Sequence, residues 1–214
     1  GVPVHITHFS QKVPPLGGAI RQLELLDEAW QKGLDVTFDS YPYPYGSGRL
    51  LVVIPQWAQN GGPDALLKVL RSPEGRQRLA KELVPRPTWQ EMWLTYFKQP
   101  HNQRWEGRSV AQFVEESGKS PINALCDLMI EEDLQTCHVG LHSNPATIHL
   151  FYQHHLSMIG SDAILLGNHP SPRSYGCFPY ILGSFVREER FLTLPAAIRK
   201  MTSLPAQRLG LINR

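Results

Sequence analysis

Apolar and polar positions alternate at the start of the chain. "VPVHITHF" is rich in β-branched residues and reads as a strand over residues 2 to 8. The period then changes: in "AIRQLELLDEAWQKG", Ile20, Leu23, Leu26, Ala29 and Trp30 fall at helical spacing. Gly33 follows at the position where a left-handed residue closes a helix. "LDVTFDSYPY" returns to strand over about 35 to 41 and is ended by Pro42. Strand, helix and strand at this spacing predict a βα unit of a parallel sheet.

The alternation breaks from Pro44 to Gln135, where the pattern predicts helices and loops: "PDALLKVLRSPEGRQRLAKELV", "SVAQFVEESG" and "SPINALCDLMIEED". Ser120 is placed to cap the last of these, with Pro121 in its first turn. The stretch holding Trp89, Trp93 and Trp105 reads as irregular. About ninety residues between two strands exceed any ordinary connection, so residues 45–135 read as an inserted, mainly helical subdomain. The alternation resumes with a short strand, "CHVGLHS", at 137 to 143. A helix over "NPATIHLFYQHH" with Asn144 as its cap follows, and then a strand, "LSMIGSDA". "YILGSFVRE" and "LPAAIRKMTSLPAQRLG" read as helices. The expected fold class is α/β, with residues 1–44 and 136–214 carrying the βα units. The first residues begin in mid-strand and "RLGLINR" ends as abruptly, so both ends read as cuts through a longer protein.

Composition narrows the picture only slightly. Over 214 residues, 42% apolar and 19% charged content describe an ordinary globular protein. A net charge of +2, with its Lys and Arg scattered, argues against nucleic-acid and membrane partners. No apolar stretch approaches a membrane span. Cys126, Cys137 and Cys177 are an odd number without CxxC spacing, which predicts free, mostly buried thiols in a reducing, cytoplasmic setting.

In parallel α/β architectures, sites gather at the carboxyl ends of strands. His8, then Asp39 and Tyr41, then His142 and Asp162 stand at such ends. Histidine and carboxylate on separate strand tips are the residue types that converge on a metal ion and its activated water. Each has a plainer reading as well. His8 is equally a structural histidine, and Asp162 equally a helix N-cap. His5 reads as structural. So do His154 and His155, where a cation at a helix end suits the dipole. Arg173, in the loop after Asp162, is either a surface residue or a planar partner for a carboxylate.

Longer motifs carry a resemblance. "HITHFS", "VTFDSYPYPYGSGRL" and "MIGSDA" resemble the "ISH", "DxYPYxAGSTxL" and "GSD" segments of the N-acyl-D-amino-acid deacylases (D-aminoacylases) of the amidohydrolase superfamily. "HPSPRSYGCFPYILGSFVRE" and "LTLPAAIRKMTSLPAQRLGL" are similar to that family's tail, "HPRxYGTFPRxLGxYVRE" and "LxxAIRKMTSLPAxRLGL". The resemblance runs in family order from residue 5 to residue 211.

It implies a zinc-dependent TIM-like (β/α) barrel that hydrolyses N-acyl-D-amino acids, with this chain resembling the second half of the barrel. Carried over, His8 matches a metal-ligating histidine. Asp162 matches the aspartate that binds metal and passes the proton from water to the leaving amine. Arg173 matches a carboxylate clamp, Ser47 and Tyr175 match pocket residues, and residues 45–135 match the family's insertion. The chain departs from the family in four places. It has no "HxH" pair and no histidine on "DVTFDSYPY", "HPSPR" replaces "HPR", and "GSG" replaces "GST". With two of at least three ligands, the expectation is a C-terminal portion of a hydrolase that is inactive alone. The alternatives are a non-catalytic fragment or pseudoenzyme module, and a cyclic-amide hydrolase of hydantoinase or dihydroorotase type. Strands cut from a barrel leave raw edges, which predicts a homodimer.

Overall fold

A computed structural model describes residues 1–11, 17–83, 87–211 and 213 of the chain. It divides into two compact units. Gly1–Tyr45, His142–Ala163 and Pro172–Arg214 form the first, and Gly46–Leu141 and Ile164–Ser171 the second. The chain opens with β1 (Val4–Ile6), α1 (Gly17–Gln31) and β2 (Val36–Ser40). β3 (Tyr45–Arg49), α2 (Gln56–Gln59), α3 (Gly62–Arg71), α4 (Pro73–Glu82), β4 (Met92–Tyr96), α5 (Val110–Ser117), α6 (Pro121–Glu131) and β5 (Cys137–Leu141) follow. The first unit resumes with α7 (Pro145–Gln153), β6 (Ser157–Ile159) and α8 (Arg173–Tyr180). A π-helical stretch over Ile181–Glu188, α9 (Leu194–Met201) and α10 (Ser203–Arg208) complete it.

The first unit is a three-stranded parallel sheet in the order β1-β2-β6, with Val4 opposite Val36 and Ser40 opposite Ile159. No closed barrel forms among the described residues. β1 is shorter than its apolar pattern predicts, because the chain turns away at His8, whose φ is 56°. α1 ends as its sequence predicts. Gly33 at φ 78° lets its own N–H and that of Leu34 return to the carbonyls of Trp30 and Ala29. Leu26 and Ala19 of α1 pack with Val36, Phe38 and Phe151. Ile20 and Trp30, expected on the buried stripe, are instead half exposed; helical spacing sets a face but not how much of it the sheet covers. Asn144 caps α7 as expected, accepting from the Ala146 N–H at 3.0 Å. The Tyr152 hydroxyl of α7 donates to the Ser40 carbonyl at 2.7 Å and so pins the end of β2. The expected helix over 180–188 is a π-helix continuing α8, following Pro179, whose ring nitrogen cannot donate.

The second unit pairs its strands in the order β3-β5-β4. Residues 137–141, read from sequence as the next barrel strand, run antiparallel to β4, with Trp93 opposite Val139. A short apolar run buried on both faces looks the same in either direction, so its partner decides. The stretch expected to be irregular contains β4 itself, built from Trp93, Leu94, Thr95 and Tyr96, residue types that suit a pleated surface. Leu50, Leu70, Leu79, Leu94, Phe97, Leu125 and Met129 fill this unit's core. Between α3 and α4, Ser72 caps the second helix by accepting the Gly75 N–H at 2.9 Å. Ser109 and Gln112 form a capping box on α5, whereas the Ser120 side chain makes no capping bond to α6. Cys126, Cys137 and Cys177 are free and buried, and no helix among the described residues is long and apolar enough to cross a membrane.

Lys200 ties α9 to the start of β6. Its ammonium donates to the His154 carbonyl at 2.7 Å, and to the Ser157 hydroxyl at 2.6 Å and carbonyl at 3.2 Å. Burial, with the neighbouring Arg199 charge, pushes its pKa down from 10.5 to about 8. Between these two values the unfolded chain holds a proton that the folded chain has released, so stability rises with pH across that window. Allowing for the hydrogen bonds that favour the ammonium, the rise is on the order of 1–2 kcal/mol. Urea melts across that window should show it in the wild type and not in Lys200→Met.

Candidate active site

β1, β2 and β6 run parallel, so their carboxyl ends lie on one side of the first unit; Asp39 stands near the end of β2, and His8, Tyr41 and Asp162 follow the strands. His8 and Asp162 both hold left-handed backbone, at φ 56° and 45°. Such conformations cost about 1 kcal/mol or more and persist where the surroundings hold them. They bring the two side chains together: His8 Nε2 lies 3.0 Å from Asp162 Oδ1. Arg173, with no exposed surface, donates to the other oxygen, Asp162 Oδ2, so the carboxylate is gripped from both sides. The Arg173 guanidinium also lies 4.1 Å above the Tyr41 ring. Burial pushes the Tyr41 phenol up, and the Arg173 charge moderates that rise.

A second pair sits beside the first. His5 Nε2 donates to Asp39 Oδ2 at 2.8 Å, which leaves His5 Nδ1 to accept from the Thr37 hydroxyl at 2.7 Å. Asp39 Oδ1 accepts the His8 N–H at 3.2 Å and so links the two pairs. These are the contacts of a structural histidine. Gly160, two residues before Asp162 in "GSD", allows this crowding: a Cβ there would stand 3.0 Å from Asp39 Oδ1. A cavity of about 440 Å³ borders His5, Asp39 and Gly160, with Met158, Ile159 and Arg208.

The sequence reading and the structure differ most at Arg173. Expected as a clamp for a ligand's carboxylate, its side chain is buried and bound to the protein's own Asp162. Tyr175 stands on α8 with 73% of its surface exposed, and Ser47 lies on β3 of the second unit. His142 holds the Ser10 hydroxyl at 3.0 Å. At His154, expected to be structural at a helix end, burial pushes the pKa down, and Asp27 opposes this. The His5–Asp39–Thr37 cluster went unread in the sequence, because the parallel register that juxtaposes residues 5 and 37 leaves no local signal.

Catalytic zinc sites take three protein ligands and leave a fourth position open. The 3.0 Å between His8 Nε2 and Asp162 Oδ1 suits two neighbouring donors on one ion. Among the described residues, however, the trio of His, Cys or carboxylate donors close enough to surround a metal is Asp27, His154 and His155, not a group at these strand ends. The strand-end residues supply two donors and fall short of a complete zinc set.

The fold and site define a mixed α/β protein with a histidine–carboxylate–arginine cluster where parallel strands end. No protein-family model matches the chain. It is 30% identical, over its full length, to N-acyl-D-glutamate deacylase of Alcaligenes xylosoxydans xylosoxydans, and spans 36% of that protein. It is 29% identical, again over its full length, to D-aminoacylase of the same organism, and spans 36% of it. Its fold matches the crystal structure of N-acyl-D-glutamate deacylase from Bordetella bronchiseptica, complexed with zinc and a phosphonate inhibitor. The TM-score is 0.74 at 25% identity, covering 99% of this chain and 37% of that one. Over its whole length the chain is similar to these deacylases, as its motifs imply, and it spans little more than a third of their length. These relatives favour the linear-amide reading over the cyclic-amide one.

Proposed function

We propose that this chain carries part of the hydrolytic site of a metal-dependent N-acyl-D-amino-acid deacylase, with β1, β2 and β6 as strands of the later half of a TIM-like barrel. The observation that supports this best is the His8–Asp162 pair at 3.0 Å, at strand ends, within a chain homologous to such enzymes. His8 Nε2 and Asp162 Oδ1 are the two metal-holding atoms this chain contributes, and further ligands come from outside it. Zinc, when bound, lowers the pKa of a coordinated water and polarises the amide carbonyl.

Asp162 accepts the water's proton and delivers it to the departing amine nitrogen, as a general base and then a general acid. Arg173 acts through Asp162. It holds Oδ2 and leaves Oδ1 in line with His8, and is a positioning residue rather than a clamp. Tyr175 is the proposed substrate-pocket residue of the first unit. With two donors, the chain alone is inactive.

Zinc titrated into the purified chain, alongside a His8→Ala, Asp162→Ala double variant, tests the assignment. With zinc in excess, the wild type should hold one more ion per chain, weakly, than the variant; equal uptake sinks the assignment. Turnover of an N-acetyl-D-amino acid by the wild-type chain would overturn its inactivity alone.

A further inference from the structure

We infer that Asp27, His154 and His155 form a separate site for a transition-metal cation of the zinc type, at the opposite end of β6 from Asp162. The proposal does not depend on the hydrolytic reading. One ligand atom from each residue lies within 4.8 Å of the other two. Asp27 comes from α1, while His154 and His155 lie in the turn between α7 and β6, so the trio links elements far apart in sequence. His154 Nε2 lies 3.1 Å from Asp27 Oδ1, and the two imidazoles face each other with centroids 4.7 Å apart and planes 30° apart.

A hydrogen bond between Asp27 and His154 accounts for two of the three residues. It does not account for the second imidazole beside them, which is where a third donor is needed. His155 is exposed and Asp27 partly so, which gives an ion access, while Trp30 of α1 holds the His155 ring edge-on at 5.1 Å. The His154 backbone is fixed independently: its carbonyl takes the Lys200 ammonium at 2.7 Å. Two imidazole nitrogens and one carboxylate oxygen suit zinc, copper or nickel and not calcium or magnesium, with water filling the remaining position.

Binding changes the His154 tautomer. Nε2 now donates to Asp27, and Nδ1 accepts the Leu156 N–H at 3.3 Å. On loading, the ring proton moves to Nδ1, the long Leu156 contact is given up, and Nε2 and the Asp27 oxygen both turn to the ion. No proton is lost from the ring. The ion would then fasten α1 to the turn that starts β6 and stabilise the first unit by mass action.

Zn²⁺ titrated calorimetrically into the full chain tests the site in the wild type, His155→Ala, Asp27→Asn and the His8→Ala, Asp162→Ala double variant. The expected result is binding that survives in the double variant and weakens about tenfold or more in both His155→Ala and Asp27→Asn. A zinc-induced rise in Tm should likewise survive in the double variant and vanish in His155→Ala. The side chains of His155 and Asp27 reach the surface, and thermal melts without zinc set a titration temperature at which every variant, the destabilised double variant included, is folded. Affinity unchanged in both single variants, or binding abolished by the double variant alone, overturns the proposal; the second outcome assigns the ion to His8 and Asp162.

Discussion

Asp162→Ala is expected to destabilise the chain by about 3–5 kcal/mol, the cost of stranding a buried charge. Arg173 has no exposed surface, and its guanidinium is bound to the Asp162 carboxylate. Removing that carboxylate leaves a full positive charge buried against Tyr41, whose ring contributes about 1 kcal/mol of cation–π attraction and cannot replace it. The backbone adds to the loss. At φ 45° Asp162 holds a conformation that aspartate tolerates better than alanine does. Arg173→Met is expected to cost less, on the order of 1–2 kcal/mol, because the partly exposed Asp162 carboxylate left behind is open to water. The decisive comparison is the double variant, which should be more stable than Asp162→Ala alone. Urea melts of the three proteins measure this, and a double variant less stable than either single one would show that the buried charge is not the cause.

Glu132→Ala is expected to cost about 3–4 kcal/mol and to loosen the segment from Lys98 to Trp105. Glu132 is fully buried in the second unit, where one carboxylate serves three donors. It takes the Lys98 and Gln99 backbone N–H groups, the latter at 3.0 Å, and the Asn102 side-chain amide at 2.7 Å. Without it those donors are left without an acceptor, each costing about 1–3 kcal/mol less whatever water recovers. Glu132→Gln, which keeps one acceptor oxygen, should fall between wild type and Ala. Amide exchange at Lys98 and Gln99 should accelerate in Glu132→Ala while the core amides of α6 change only with global stability. Protection of Lys98 and Gln99 equal to wild type would refute this account of the loop.

Much of this protein is legible one residue at a time. Gly33 closes α1 and Asn144 caps α7 because both depend on groups within a few positions along the chain. His8 and Asp162 were recognisable as strand-end residues because strands and their ends have local patterns, and the tail that carries the resemblance to the deacylases is a contiguous string. The sequence by itself therefore determined where most helices and strands of the first unit fall. Tertiary structure decided their partners. His5 meets Asp39 only through the parallel register of β1 on β2, and Cys137–Leu141 turns antiparallel because β4 is its neighbour. Arg173, which reads as a ligand clamp, belongs to Asp162 because a charge this deeply buried must be neutralised from within the fold. Caps and periodicity are short-range and written in order along the chain, whereas pairing and burial depend on which distant segments fold against each other.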